Sequence, residues 1–210
     1  MTRHDETIKN LCDDLQPVKP LKHPLLRALP WLAFTLAYIA SGIFFVGVRP
    51  DFSLKLNETG YLFELVMAFT ASIAAAIAAI YCSVPDMRGK LWFLSVPASL
   101  AGALAIWLCI RLCTEEIHHA HFHAMHCFFE AIVFALLPAA FLTYLIGRGA
   151  PTRPLMATGF VMLSTSLMSW AALRVTCPLD DMGHLLITHI LPFVIFGVIA
   201  GYAANKFLKW

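Results

Sequence analysis

Charge is scarce in this chain. Asp, Glu, Lys and Arg make up 13% of its 210 residues, about half the usual share for a soluble domain. That scarcity excludes a disordered chain, a coiled coil and an ordinary cytosolic domain. The net charge of +2 is too small to argue for nucleic acid as a direct partner. Cysteine is sparse too, since six in so aliphatic a chain do not make a disulfide scaffold. No CxxC and no HExxH occurs, so the short signatures of a redox dithiol and of a zinc hydrolase are missing. No internal repeat and no matched pair of broken helices marks a transporter.

Apolar residues fill the space that charge leaves. They reach 60% of the chain, and mean hydropathy is +0.74. A small soluble fold leaves too much surface exposed to hide them. A membrane span needs about 20 apolar residues, and six stretches qualify: Trp31–Val48, Tyr61–Tyr81, Leu91–Ile110, Cys127–Ile146, Leu155–Leu173 and Leu185–Ala204. The expected fold is an all-α membrane protein, a six-helix bundle formed by residues 31–210 behind an N-terminal segment, residues 1–30. The first span follows thirty mixed residues, so no cleavable signal peptide is expected. Eleven Lys and Arg fall on the side of the termini and four (Arg49, Lys55, Arg111 and Arg174) on the other. The positive-inside rule therefore makes both termini cytoplasmic.

Small residues recur at four-residue steps: Ala68, Ser72 and Ala76; Ala71, Ala75 and Ala79; Gly197 and Gly201. Such ladders let helix backbones approach closely in lipid. The only acidic residues within the six stretches are Glu64 and Glu130, and none holds Lys or Arg. Glu64 is expected to be neutral or hydrogen-bonded to a neighbouring Ser or Thr, and Glu130 to reach the interface. No charged pair is visible at mid-membrane, which disfavours a pump or ion-coupled transporter.

In the N-terminal segment Thr2 and Asp5 resemble a capping box. Ile8, Leu11, Cys12 and Leu15 then follow at helical spacing, and Pro17 and Pro20 end the helix. A lone helix of about 14 residues is marginal in water, so its apolar stripe needs cover. Either it lies on the membrane surface, or Ile8, Leu11 and Leu15 dock into a groove on a soluble partner.

The third loop is dense in histidine. His118, His119, His121, His123 and His126 crowd in just before Cys127. On a helix His119, His123 and His126 share a face with Cys127 and Glu130. Imidazole, thiolate and carboxylate together form a ligand set for a transition metal. A solvated, pH-sensitive His-rich loop explains the composition equally well. Cys109, Cys113, Cys127 and Cys177 fall at or near the same side, where disulfides are permitted. Sequence does not choose among their pairings, and Cys109, inside a span, reads best as a small buried hydrophobe. Cys177 opens a polar turn with Asp180, Asp181 and His184, and His189 follows inside the last span. The candidate metal ligands are thus His119, His123, His126, Glu130, Asp180, His184 and His189, beside the cysteines.

Short pieces in a fixed order carry a resemblance. They are Asp13-Asp14-Leu15 with Pro17 and Pro20, Arg27-Ala28-Leu29, Gly47-Val48-Arg49-Pro50-Asp51, Phe63-Glu64 with Thr70, and Ser83-Val84-Pro85. Arg148-Gly149-Ala150-Pro151, Arg153-Pro154 with Gly159, and Cys177-Pro178-Leu179-Asp180 complete the series. In this the chain resembles the NrsF-like family, negative regulators of sigma F, which are six-span anti-sigma factors of the bacterial inner membrane. The resemblance implies a non-enzymatic protein that holds an extracytoplasmic-function sigma factor and releases it on metal or oxidant stress. It also implies that the family's cysteine pair corresponds to Cys127 and Cys177. A metal or oxidation at that pair would link the fourth span to the turn before the sixth and so supply two states, while a static disulfide would only staple the bundle. Two other functions compete. A membrane thiol oxidoreductase calls for a CxxC-like pair, and Cys109 and Cys113 have the wrong spacing. A metal permease calls for ligands continuing across the bilayer, and these stop near Glu130.

Overall fold

Lipid offers backbone N–H and C=O groups no partner, so each apolar run closes its hydrogen bonds internally as a helix. The computed structural model describes residues 3–13, 22–84, 92–115, 125–149, 151 and 153–207. The helices are α1 (Arg3–Asp13), α2 (Pro24–Val46), α3 (Phe52–Lys55), α4 (Thr59–Tyr81), α5 (Ser95–Thr114), α6 (Met125–Gly147), α7 (Pro154–Thr176), α8 (Met182–His184) and α9 (Leu191–Phe207). A π-helical segment, Leu185–Ile190, joins α8 to α9. No strand occurs among the described residues. Six helical stretches are long and apolar enough to cross a membrane: α2, α4, Trp92–Thr114, α6, α7 and Met182–Tyr202. An even number of spans puts the two ends of the bundle on one face, called here the near face.

The spans match the expected stretches, with ends displaced by a few residues. The first helix begins at Pro24, well before Trp31. Proline suits a first helical position, where its missing N–H costs nothing. Arg27 is accommodated because its guanidinium donates to Ser83 Oγ (3.2 Å) and the Leu145 carbonyl (2.6 Å). Gly47 ends α2 at φ +97°, a conformation that side chains rarely adopt, and its N–H bonds the Ile43 carbonyl.

Helix α7 sits at the centre, packed on α4, α6, α9 and α2, while α5 packs chiefly on α4. The α4–α7 seam uses the small-residue ladders as expected: Ala68, Ala71, Ser72, Ala75, Ala76 and Ala79 are all buried. The close approach allows reciprocal hydrogen bonds, Ser72 Oγ to the Ser164 carbonyl (2.7 Å) and Ser164 Oγ to the Ser72 carbonyl (2.8 Å). Trp31 anchors α2 on α6, donating from Nε1 to the Pro138 carbonyl at 3.0 Å.

Two packing expectations are overturned. Gly197 and Gly201 meet no other helix, because a Cβ at either would find nothing within 4 Å. They face an open apolar groove of about 430 Å³ between α7 and α9. Cys109 is exposed on α5 rather than buried. Most of α5 faces away from the bundle, so its apolar surface is presented to lipid instead of to protein.

The N-terminal helix α1 spans 11 residues. Ile8 on its stripe is exposed, as is Cys12. Thr2, Leu15, Pro17 and Pro20 lie outside the described residues, as does the side chain of Leu11.

Candidate functional site

The face opposite the near face carries two adjoining polar clusters. One is ionic. Glu64, in the second turn of α4, is 1% exposed, yet it is paired with two cations. Arg111 of α5 reaches its Oε1 at 2.7 Å, and Arg174 of α7 lies 3.3 Å from Oε2. Trp107 Nε1 donates to the same carboxylate at 3.0 Å. The expectation of a Glu64 that is neutral or bonded to Ser or Thr therefore fails, since its partners are two guanidiniums and an indole, gathered at the span ends and not at mid-membrane. The helices run past the apolar stretches at these ends, bringing Arg111 and Arg174 into reach. Charged partners offset a cost of burial that neither sign can bear alone.

Arg174 also pairs with Asp180 (2.5 Å), which receives Arg49 at 2.9 Å and Lys55 at 3.1 Å. Arg49 is itself buried and binds Asp51 at 2.7 Å. Tyr61 fixes the arrangement, its hydroxyl donating to the Arg174 carbonyl and its ring lying 4.7 Å beneath the Arg174 guanidinium. Burial works against the Asp180 carboxylate, but hydrogen bonds from Arg49 and the charge of Arg174 hold its pKa well below the usual range. Arg49 donates as well to the Pro178 carbonyl at 3.2 Å, and Arg111 to the Asp180 carbonyl at 3.4 Å. The loop 177–181 is thereby tied to α3, α5 and the end of α2.

The second cluster starts in that loop. Cys177 Sγ lies 3.4 Å from Cys127 Sγ at the start of α6, with 50 residues between them in sequence. Both thiols are free. His184 Nε2 sits 3.3 Å from the Cys177 sulfur. Asp181 caps the turn by accepting from the His184 N–H at 3.0 Å. The His189 ring lies 5.2 Å from that of His184 and against Trp170, and His189 is fully buried. One ligand atom from each of Cys127, Cys177, His184 and His189 can be chosen so that all four lie within 4.8 Å of one another. Hydrogen bonding from Cys127, reinforced by His184, lowers the Cys177 pKa despite burial.

His189 reaches this cluster through the π-helical segment. Five residues on an α-helix turn a side chain about 140° from its starting face. The i→i+5 pattern of a π-helix instead stacks residue 189 near residue 184. Pro192 brings no N–H to the ladder just beyond, which favours such a break.

The remaining candidates lie elsewhere. His126 is exposed and its Nε2 lies 2.8 Å from Glu130 Oε1 on the same helix. Asp180 is held among guanidiniums. His118, His119, His121 and His123 lie outside the described residues. The convergence of Glu64, Arg111 and Arg174 was missed from sequence, although three ionisable residues near span ends were a signal that could have suggested it.

Among protein families, the model for negative regulators of sigma F (NrsF) matches residues 11–210. The chain belongs to that family. No curated protein and no solved structure matches it.

Proposed function

We propose that this NrsF-family chain is an inner-membrane anti-sigma factor that holds an extracytoplasmic-function sigma factor at its cytoplasmic N-terminal segment and lets it go on a periplasmic signal read by Cys127 and Cys177. Family membership over nearly the whole chain carries the anti-sigma reading. The 3.4 Å approach of the two sulfurs is the observation that supports the sensor reading. A disulfide needs about 2.05 Å between sulfurs, so oxidation pulls α6 and loop 177–181 together, whereas a metal shared by the two thiolates, at about 2.3 Å from each, locks the two elements at close to their present separation. That loop is tied by Asp180 to Arg49, Lys55 and Arg174. A shift of Cys177 thus bears on α2, whose other end leads to the N-terminal segment. The chain performs no catalysis in this reading, and the apolar stripe of Ile8, Leu11 and Leu15 is the docking element.

Sigma-dependent transcription tests the reading in cells with and without cadmium or peroxide. Transcription is low in untreated cells carrying the chain and rises on treatment. Cys127→Ser, Cys177→Ser and the double variant share one altered response, because a pair acts as a unit. Single variants that respond like the parent would place the sensor elsewhere.

A further inference from the structure

The surroundings of the two sulfurs hold more than a dithiol needs. His189 is buried, and neither of its ring nitrogens has a hydrogen-bond partner; His184 Nδ1 is likewise unpartnered. Burying an imidazole without partners costs free energy, and a folded protein retains such groups where something else satisfies them. The chain also departs from α-helical geometry over Leu185–Ile190, which is what sets His189 beside His184.

We infer that Cys127, Cys177, His184 and His189 form a closed, four-ligand site for one tetrahedral divalent cation of the zinc and cadmium class. Metal–sulfur bonds of about 2.3 Å and metal–nitrogen bonds of about 2.0–2.1 Å give tetrahedral edges of roughly 3.3–3.8 Å. The sulfur–sulfur separation of 3.4 Å and the sulfur–nitrogen separation of 3.3 Å already have that length. The widest edge, at most 4.8 Å, has to close by about 1 Å to reach that range.

Charge selects the class of ion. A divalent cation on two thiolates and two neutral imidazoles sums to zero, so the loaded site places no net charge at the membrane boundary. Each thiol gives up its proton to solvent, and two protons leave for each cation bound. Thiolate with imidazole favours borderline and soft cations over calcium or magnesium. Four protein ligands leave no open position, which suits a structural or sensing site and not a catalytic one. Asp180 and Glu130 stay outside, engaged with cations and with His126.

The assignment deepens the sensor reading and rests on it only for its biological meaning. Its test therefore uses no sigma factor. The full chain is reduced, reconstituted in lipid nanodiscs and titrated with cobalt, a coloured probe for tetrahedral zinc sites. The expected result is one cobalt per chain, with strong visible bands of a tetrahedral centre and a near-ultraviolet thiolate-to-cobalt band, all discharged by zinc. These signals persist when His118, His119, His121, His123 and His126 are all replaced by Ala, which removes the His-rich loop as the source. They lose the thiolate band in Cys127→Ser with Cys177→Ser. His184→Ala and His189→Ala each weaken binding by at least about tenfold, the lower end of what loss of a mere outer-shell partner costs. Weak octahedral bands without thiolate character in the parent chain would overturn the site, and this readout needs no variant to fold. Unchanged affinity in both histidine variants would reduce it to a dithiolate and refute the four-ligand assignment. Failure of sigma capture alongside an intact cobalt spectrum would count against the anti-sigma reading alone.

Discussion

Asp180 shows how much one carboxylate holds at the far face. It neutralises the buried guanidiniums of Arg49 and Arg174 and accepts from Lys55. Removing one partner of a buried pair costs about 3–5 kcal/mol, because the other charge is left uncompensated. Asp180 is partly exposed, so the lower end applies, and Asp180→Asn should lower the unfolding midpoint in nanodiscs by roughly 6–12 °C. The pH dependence has a definite sign. Its folded-state pKa lies below the unfolded value of 3.8, so its stabilisation is complete above about pH 4 and disappears as pH falls through the folded value. Acid melts of the Asn variant should lack that contribution, and an unchanged midpoint at neutral pH would show that the guanidiniums are satisfied without the carboxylate.

Small residues do different work on different helices. On α4 they sit in a seam closed by the Ser72–Ser164 bonds, and Ala75 is fully buried. Ala75→Leu would force extra atoms into a packed interface at a cost of about 1–3 kcal/mol. On α9, Gly197 and Gly201 adjoin open space, so Gly197→Ala and Gly201→Ala should leave the melting temperature unchanged or slightly raised. Thermal unfolding of the three variants side by side checks the contrast. Destabilisation by the α9 substitutions would mean that the groove is filled in the membrane. The π-helical segment is the other element whose geometry carries chemistry, since ordinary α-helical pitch there would separate His184 from His189.

At the scale of the molecule, the two ends of the proposed switch occupy opposite faces of the bundle. Eleven of fifteen Lys and Arg lie toward the termini, so a reporter fused after Trp210 should read cytoplasmic. A periplasmic reading would invert the whole scheme. In the proposed function the apolar stripe of the N-terminal segment is the docking surface, and Ile8 on it is exposed. Leu11→Asp combined with Leu15→Asp should abolish co-purification of the sigma factor while the bundle still inserts. Capture that survives this change and depends instead on Arg88 or Arg148 would move the contact to the loops on the same face.

What the sequence determined by itself was whatever depends on local composition. Six apolar stretches specify six helices, because lipid leaves the backbone no alternative, and small residues at four-residue steps marked the α4 seam. Helix ends were less legible, since Pro24 and Arg27 depend on caps and partners far along the chain. The ionic cluster escaped notice because Glu64, Arg111 and Arg174 are on three different helices. Cys127 and Cys177 were singled out by family resemblance, and only the tertiary structure set their sulfurs 3.4 Å apart across 50 residues. His189 joined them through a break in helical pitch that periodicity does not reveal, while Asp180, equally plausible as a ligand by spacing, was taken by arginines. The physical reason is one of range: burial in lipid is decided within each helix, whereas a site is decided by which helices come to lie side by side.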